Sequence, residues 1–441
     1  MARIRDWGEL DRNAQQRRRD TARAHAAALN PVLNAFAEIV PPAPSELSAP
    51  LRGLSYAAKD MLRTPSREPG CGFGSDRAPR IDGFSALPDR LAEAGADLVA
   101  FTAMTELAYE PSGFNQTLGR VRNPWNPDFV TGGSSSGSAA AVASGAVVAA
   151  LGSDTGGSLR IPAHCCGITA WKPSYGLVST DGAMALAPTL DTIGLLARSA
   201  NDLRPLAPIL ASSSIVAETP RRAVVPDDVV AECDPAIRRC LADAVAAIEA
   251  AGVMVARRPT LLPMLDAIDR HALIVMQGES ARQHRTLLDG NALTPVLRKR
   301  LAKGFDITDE MLAASVGARE PLAQQFVVEV LSEHDVLVLP VMPIATPRAD
   351  RCDPASQRFS ARALYALSRW TRFVNMLGLP AVAMPAGFDD NRMPVGVQIV
   401  GGAGSDLALL ELVQKLQAIT SWHARVPEAV AHLIPEGESL A

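Results

Sequence analysis

Residues 132–138 read GGSSSGS and residues 154–160 read DTGGSLR. Between them, residues 139–151 form a run of small, mostly apolar residues, which predicts a helix that is buried on all sides. Glycines that flank a serine let the main chain present consecutive N–H groups to a bound anion or to an oxyanion formed during a reaction. The two Gly/Ser segments and the run between them therefore determine which folds and reactions must be considered.

Three interpretations of these segments are open. A phosphate site at a helix N-terminus would require the lysine of a P-loop or the pattern GxGxxG, and neither is present. The segment GSSSG at 133–137 matches the GxSxG motif of α/β-hydrolases with Ser135 as nucleophile, but Pro124, Pro127 and Asp128 precede it instead of a strand. In that case the partners would be Asp335 with His423 or His432. The third interpretation is a serine nucleophile activated by a neutral lysine, without histidine.

Lysine is scarce in this chain, which has 441 residues, 38 arginines and only 5 lysines. A guanidinium stays charged in a protein, whereas a lysine can lose its proton and act as a base. Three lysines are predicted to be ordinary surface residues: Lys299, Lys303 and Lys415. Lys59 and Lys172 lie in apolar stretches punctuated by Gly and Pro and remain candidates for chemistry.

The composition argues against several classes of function. The formal charge is −4 with no basic stripe, which predicts no nucleic-acid partner. The first 20 residues lack the apolar core of a signal peptide and no run could span a bilayer, so a cytoplasmic protein without membrane contact is expected. The 6 cysteines and 7 histidines show no CxxC or metal-binding spacing, so no disulfide framework, metal or cofactor is expected.

Helical and strand-like patterns alternate along the chain, which predicts an α/β sandwich around a large, mostly buried sheet. Helices are predicted at 10–29, 86–94, 234–251, 262–288, 361–376 and 405–419. Strands are predicted at 54–60, 98–103, 253–256, 336–341, 381–386 and 395–400. A long ordered loop is expected at 110–137, and no repeat or linker divides the chain.

The motifs, taken in order, resemble the amidase signature family. The matching segments are AKD at 58–60, NPW at 123–125, the stretch 132–176, DTIG at 191–194, DVLVLP at 335–340, NMLGLP at 375–380 and MPVGVQ at 393–398. The resemblance covers nearly the whole chain. It implies the amidase-signature fold, a large central mixed sheet covered by helices on both faces. It also implies one domain over 1–441, with a signature core at about 54–200 and a more variable helical region at about 218–333.

The resemblance also implies roles for individual residues. Ser158 would be the acylating nucleophile, Ser134 a bridging serine that follows a cis peptide bond, and Lys59 the base. The oxyanion hole would be formed by N–H groups of the loop Thr155, Gly156, Gly157 and Ser158. For Lys59 to act near pH 7, its pKa must fall by about 3 units from its unperturbed value, which requires burial.

Several residues depart from the family's usual pattern or match it without a catalytic role. Ser136 replaces a frequent glycine, and Tyr56 replaces a common proline. His164 and Trp171 are expected to pack around the site. Lys172 is expected to anchor the loop structurally and Arg160 to form a structural ion pair.

The favoured function is an amidohydrolase that cleaves a small-molecule carboxamide to a carboxylic acid and ammonia or an amine. A homodimer is a possible assembly. One alternative is a hydrolase of urea-derived substrates such as allophanate or carboxybiuret. Another is the A subunit of a glutamyl-tRNA amidotransferase, a glutaminase that delivers ammonia within a complex. A scaffold without catalysis is least favoured because Lys59, Ser134 and Ser158 are all present.

Substrate choice is expected to depend on the loops 70–74, 104–117 and 183–189 and on the middle region of the chain. Four aromatic residues are candidates for the pocket wall: Tyr109, Phe114, Trp125 and Trp370.

Overall fold

A computed structural model describes residues 12–42, 49–74, 76–213 and 219–431. These residues form one mixed sheet of 11 strands with helices on both faces. The α/β class and the large central mixed sheet expected from the sequence are thereby confirmed. Leu10, Glu218 and His432, which the sequence-based predictions include, lie outside the described residues.

The strands, in chain order, are β1 Phe36–Ile39, β2 Ser55–Lys59, β3 Asp97–Thr102, β4 Ala149–Asp154, β5 Thr169–Lys172, β6 Thr192–Ala197, β7 Arg222–Pro226, β8 Met254–Arg258, β9 Val336–Pro340, β10 Ala381–Phe388 and β11 Pro394–Gly401. The helices of the described part are α1 Arg12–Leu33, α2 Leu87–Glu93, α3 Ser136–Ala143, α4 Arg160–Cys166, α5 Ala200–Leu203, α6 Ala207–Leu210, α7 Asp227–Ala231, α8 Pro235–Ala250, α9 Leu262–Gln283, α10 Arg285–Asp289, α11 Pro295–Ala302, α12 Asp309–Gly317, α13 Arg319–Phe326, α14 Ala361–Ala366, α15 Arg372–Met376, α16 Asp406–Ile419 and α17 Glu428–Ala431. Single 3₁₀ turns cover Glu106–Ala108, Lys303–Asp306, Ala349–Arg351 and Trp422–Ala424, and a π turn covers Val327–Leu331.

The order of strands in the sheet brings distant segments to one edge. It runs β1-β3-β2-β4-β6-β5-β10-β11-β9-β7-β8. Strand β2 is parallel to both of its neighbours, β3 and β4. Because parallel strands end at the same edge of a sheet, Lys59 at the end of β2 lies beside the loop that follows Asp154 at the end of β4.

The sheet is packed on both faces, as two adjacent residues of β2 show. Ala58 belongs to the apolar core that includes Leu87 and Leu91 of α2, whereas the adjacent Ala57 belongs to the core that includes residues of α1, α3 and α4. Consecutive side chains of a strand point to opposite faces, so each residue of β2 has a buried side chain. A sheet buried in this way excludes water from the base of the loops at its edge.

The predicted helix over 139–151 is wrong in its second half. Helix α3 ends at Ala143, and the chain then turns through Gly145, which has φ +79°, into strand β4. A short run of small apolar residues fits a buried helix and a buried strand equally well, so hydrophobicity alone does not distinguish them. The position of Gly145 is the local signal for the break, since a left-handed residue ends a helix.

The predicted helix over 361–376 is also divided. Helices α14 and α15 occupy its two ends, and the residues between them form turns that include Trp370 and Thr371. The loop expected at 110–137 contains neither a helix nor a strand before Ser136, where α3 begins. Within the described residues, no helix has the length and apolarity needed to cross a bilayer.

Candidate active site

Lys59 is the last residue of β2, and its side chain is only 1% exposed. Its Nζ donates to three hydroxyl oxygens, those of Ser134 at 2.6 Å, Ser153 at 2.8 Å and Ser135 at 3.1 Å. Burial lowers the pKa of Lys59 from 10.5 to about 7, although Asp154 and Asp191 act in the opposite direction. Lys59 can therefore be neutral near pH 7 while it touches a serine hydroxyl.

Ser134 and Ser158 belong to two loops that meet beside Lys59. The Gly133–Ser134 peptide bond is cis, as the family resemblance implies. The N–H of Ser135 donates to the carbonyl oxygen of Ser158 at 3.3 Å, which holds the two loops together. The hydroxyl of Ser158 forms no hydrogen bond with another described residue, and Ser158 is 9% exposed and lines a cleft. An unpaired hydroxyl at a cleft can approach a bound substrate.

The loop between β4 and α4 presents main-chain N–H groups beside Ser158. Gly157 has φ +125°, and a Cβ at this position would collide with the Thr371 hydroxyl, so only glycine fits. Its N–H donates to the carboxylate of Asp154 at 2.7 Å. The N–H groups of Gly156 and Ser158 donate to no other described residue. The resemblance assigned the N–H of Gly157 to the oxyanion hole, but in this structure that N–H already donates a hydrogen bond to Asp154.

A buried ion pair holds the base of this loop. Asp154 and Arg160 are both fully buried, and Nε and Nη2 of Arg160 each lie 3.0 Å from a different oxygen of the Asp154 carboxylate. Arg160 also donates to the side chains of Gln398 and Asn375 and to the carbonyl of Thr371. Burial opposes the charge of Asp154, but the charge and hydrogen bonds of Arg160, together with Lys172 and Asn375, lower the pKa of this carboxyl to about 2. Arg160 therefore forms the structural ion pair that the sequence analysis expected.

Asp191 fixes the other end of the loop. One of its carboxylate oxygens accepts a hydrogen bond from the Thr155 hydroxyl at 2.6 Å, and the other accepts from the N–H groups of Leu186 and Ala187. Burial raises the pKa of Asp191 to about 6. Asp191 is thus a positioning residue for the loop, which the sequence analysis recorded only as part of the motif DTIG.

The cleft in front of Ser158 contains about 850 Å³ of space that no protein atom fills, including solvent at its open mouth. Residues that line it lie within 108–111, 155–161, 273–277, 300–303 and 364–372, together with Leu186. The loops 104–117 and 183–189 were expected at the substrate, and both reach the cleft. The loop 70–74 does not line it, and of the four candidate aromatic residues only Tyr109 does.

The wall formed by α14 and α15 was missed from the sequence. Arg372 lies on it and forms a bidentate ion pair with Asp269 at 2.7 and 2.8 Å. The two residues are 103 positions apart in the chain. No motif marks either of them, so only the three-dimensional packing reveals this part of the cleft.

Other residues singled out from the sequence lie away from the cleft lining. Lys172 is fully buried and donates to the carbonyl of Pro173 at 2.8 Å. His164 accepts from the N–H of Gly396, and burial lowers its pKa to about 4. Trp171 donates from its indole nitrogen to Asp406 at 3.0 Å. These contacts agree with roles in packing and anchoring.

The α/β-hydrolase interpretation does not fit the structure. Ser135 is 0% exposed, and its hydroxyl contacts Lys59 and the main chain of Ser153. Asp335 lies just before β9, where it accepts from the N–H groups at the start of β7, far from β4 in the order of strands.

The described residues also contain no cluster of three or more His, Cys, Asp or Glu side chains suited to a metal ion.

Comparison with known proteins identifies the family. A family model described as Amidase matches residues 19–410. The chain belongs to the amidase family. A solved amidase is 31% identical, with a TM-score of 0.81 over 91% of this chain and 96% of that one. The chain is therefore an enzyme of a family that acts on amide C–N bonds.

Two further relatives have names more specific than amidase. The A subunit of glutamyl-tRNA(Gln) amidotransferase from Marinomonas sp. (strain MWYL1) is 30% identical over 92% of this chain and 93% of its own length. The solved A subunit of the Thermotoga maritima amidotransferase is 26% identical, with a TM-score of 0.78 over 95% of this chain and 94% of that one.

These relatives correct one expectation. A small-molecule amide substrate was predicted from the family resemblance, and the absence of a nucleic-acid partner was predicted from the mildly acidic charge. The relatives are named as one subunit of an enzyme that acts in connection with glutamyl-tRNA(Gln). Net charge was a poor guide because one protein of a complex can serve such a reaction while other proteins contact the RNA.

Proposed function

We propose that this chain cleaves a carboxamide through a covalent acyl-enzyme on Ser158, releasing ammonia or an amine and then a carboxylic acid. The observation that carries the proposal is the contact of 2.6 Å between Nζ of Lys59 and the hydroxyl of Ser134, beside a cleft lined by Ser158. A lysine whose pKa lies at about 7 can accept a proton through a serine hydroxyl at neutral pH.

The reaction would begin when Ser158 Oγ attacks the carbonyl carbon of the amide. Its proton passes to Ser134, and the proton of Ser134 passes to the neutral Nζ of Lys59. Negative charge develops on the carbonyl oxygen, where the N–H groups of Gly156 and Ser158 would stabilise it. The hydrogen bond between Ser134 and Ser158 would form when the substrate is bound, since such contacts often tighten only in the complex.

The same groups would complete the turnover. Protonated Lys59 returns its proton through Ser134 to the leaving nitrogen, and the C–N bond breaks to leave an ester on Ser158. Water then gives a proton to the relay and attacks the ester carbon. The C–O bond to Ser158 breaks, Ser158 regains its proton, and the carboxylic acid is released.

Mass mapping of a fluorophosphonate adduct, combined with an assay of amides, urea derivatives and glutamine, tests this proposal. The wild-type chain should be labelled at Ser158 and should release ammonia or an amine from at least one substrate. Ser158→Ala should lose both labelling and activity. Labelling at Ser135, or turnover that survives Ser158→Ala, would contradict the mechanism.

A second candidate function is that of one protein of an amidotransferase complex, in which the ammonia is passed to an acceptor held by partner proteins. The relatives named as amidotransferase A subunits favour it, since they are 30% or more identical over most of both chains. The test compares ammonia release from glutamine by the chain alone and after addition of amidotransferase partner proteins with glutamyl-tRNA(Gln). Release that depends on the added components supports this candidate, and full activity of the chain alone argues against it.

A further inference from the structure

The loop that begins at Thr155 has two main-chain N–H groups that donate to no other described residue, those of Gly156 and Ser158. Both lie next to the peptide group that joins Gly156 to Gly157, because one N–H precedes this group in the chain and the other follows it. Glycine has no Cβ and turns easily about its backbone dihedrals, so the chain alone does not hold the peptide group in one orientation. The direction of the two N–H groups therefore depends on what the peptide group contacts.

The peptide group between Gly156 and Gly157 is held at both ends. Its N–H, which belongs to Gly157, donates to the carboxylate of Asp154 at 2.7 Å. Its carbonyl oxygen, which belongs to Gly156, accepts from the hydroxyl of Thr371 at 2.6 Å, across 215 positions of the chain. Among the described residues, no other group donates to this carbonyl oxygen. The carbonyl end of the peptide group thus depends on the hydroxyl of Thr371.

Thr371 is itself fixed in place. It lies in the turn between α14 and α15 and is 0% exposed. Its carbonyl oxygen accepts from Nη2 of Arg160 at 2.9 Å, and the same nitrogen lies 3.0 Å from the carboxylate of Asp154. The Thr371 hydroxyl also lies 3.1 Å from the carbonyl oxygen of Ser368, but a hydroxyl has one hydrogen and its contact with Gly156 is shorter. The groups that hold the two ends of the peptide are therefore joined to each other through Arg160.

We propose that Thr371 is a positioning residue for the oxyanion hole, and that its hydroxyl holds the peptide group so that the N–H groups of Gly156 and Ser158 face the substrate carbonyl. The inference rests on the proposed function, because it takes Ser158 as the nucleophile. Thr371 does not line the cleft, so it acts through the loop and not on the substrate. Without its hydroxyl, the carbonyl of Gly156 lacks a donor and can turn towards water. The N–H groups on either side then lose their direction, which weakens their hold on the transition state.

The rate at which a fluorophosphonate labels Ser158 tests the inference. In this reaction Oγ of Ser158 bonds to phosphorus, fluoride leaves, and the phosphoryl oxygen takes the place of the oxyanion. Thr371→Val should slow labelling about 10- to 100-fold, which is less than the loss of about 10²- to 10³-fold typical when an oxyanion donor is removed outright. Thr371→Ala should give a loss in the same range, which separates the missing hydroxyl from crowding by a new methyl group. Thr371→Ser should label within about threefold of the wild-type rate, because it keeps the donor.

Three further readouts separate this role from a general loss of stability. The final extent of labelling should stay complete in Thr371→Val, whereas partial unfolding would lower it. The midpoint of the labelling rate against pH should stay at about 7, because Lys59 and its serine contacts are unaltered. Hydrogen exchange, followed by mass spectrometry of peptides that span 154–161, should be faster in Thr371→Val, since the N–H of Gly157 is held less firmly by Asp154.

Thr169→Val is the matched control, because it also removes a buried hydroxyl that donates to a main-chain carbonyl, that of Arg198 at 3.0 Å. Thr169 begins β5 and does not line the cleft. Its substitution should leave both the labelling rate and the exchange of 154–161 unchanged.

Two results would overturn the inference: a wild-type labelling rate in Thr371→Val, or equal losses of rate from the variants at Thr169 and Thr371. A wild-type chain that is not labelled at Ser158 would instead contradict the proposed function. The exchange measurement does not depend on labelling, so unchanged exchange of 154–161 in Thr371→Val would by itself show that Thr371 does not hold the loop.

Discussion

Two lysines, Lys59 and Lys172, are fully buried, and burial lowers the pKa of each to about 7. A lowered pKa alone therefore does not identify the base. Lys59 contacts three serine hydroxyls at the end of β2, whereas Lys172 donates to the carbonyl of Pro173. Only Lys59 is placed to exchange a proton with a serine, and this difference supports its proposed role.

The rate of amide cleavage should depend on the protonation of Lys59. Because the base must be neutral, kcat/KM should rise with pH through a midpoint of about 7 and level off above it. Lys59→Met should lower kcat/KM by about 10²- to 10⁴-fold, the usual contribution of a general base, and should abolish this pH dependence. Initial rates at pH 5.5–9 measure both effects.

Lys172→Met is the control for this prediction, since it removes the second lysine with a similar pKa. The acidic side of its pH–rate profile should have the same midpoint as that of the wild type, even if the variant is less stable. A midpoint that shifts in Lys172→Met, but stays unchanged when a serine that contacts Lys59 is substituted, would contradict the assignment of Lys59 as the base.

The residues proposed for chemistry could be predicted because their motifs are local. Lys59, Ser134 and Ser158 each belong to a short matching segment, and the sequence alone indicated why a scarce lysine beside Gly/Ser loops matters. Arg372 could not be predicted, because its place on the cleft wall is fixed by its ion pair with Asp269. This pair depends on the packing of α9 against α15, which lie about 100 residues apart in the chain.

At the scale of elements, the loop between β4 and α4 depends on anchors outside itself. Asp191 accepts a hydrogen bond from the Thr155 hydroxyl, and Arg160 at the start of α4 forms an ion pair with Asp154 at the end of β4. The resemblance indicated the loop, but the sequence did not predict β4, since residues 139–151 were assigned to one helix. The run is rich in alanine and valine, whose side chains fit a tightly packed strand as well as a buried helix.

Thr155 should control the rate of the chemical step through its hydroxyl. Thr155→Val keeps the shape of the side chain but removes the donor to Asp191, so the loop N–H groups should lose their orientation. We expect kcat to fall about 10- to 100-fold, with a much smaller change in KM, because displaced oxyanion donors act on the transition state. Thr155→Ser retains the hydroxyl and should keep most of kcat. Equal effects of the two substitutions would contradict this role.

Arg160 should be essential for stability. Arg160→Met leaves the buried carboxylate of Asp154 without its main partner, which typically costs about 3–5 kcal/mol. Urea unfolding monitored by fluorescence measures the change in the free energy of unfolding. Arg239 forms an exposed ion pair with Asp390, so Arg239→Met should cost less than about 1 kcal/mol. A similar cost for the two variants would show that burial of the Asp154 pair is unimportant.

At the scale of the whole molecule, the mixed sheet places the end of β2, the loop after β4 and the wall from α9 to α15 around one cleft. The resemblance implied the sheet and the residues at its edge, because their motifs extend over nearly the whole chain. The middle region was expected to contribute to substrate choice and does line the cleft at 273–277 and 300–303, whereas the wall at 364–372 was not expected. The motifs of a chain can thus predict its fold. The surface that contacts the substrate depends instead on how segments without motifs pack together.

The same burial that makes Lys59 a base should give the whole protein a distinctive dependence of stability on pH. For Lys59 and Lys172 the pKa is about 7 in the folded state and 10.5 as an ordinary value, so between these values the unfolded chain binds more protons. Stability therefore rises with pH in this window, on the order of 1 kcal/mol per pH unit for each lysine. His164 and His284 have pKa values of about 4, and Asp191 about 6, so their contributions are complete below pH 7.

The rise should end near pH 9. Burial raises the pKa of the cysteine thiols, so above their ordinary value of 9.0 the unfolded chain loses protons that the folded chain keeps, and stability falls again. We expect the free energy of unfolding, measured in urea at pH 7, 7.5 and 8, below the range in which the thiols titrate, to increase with pH in the wild type. In Lys172→Met the slope should be about half as steep, since one of the two groups has been removed. A slope that is flat or negative between pH 7 and 8 would mean that both lysines keep their protons in the folded protein, and the proposal of Lys59 as the base would then be wrong.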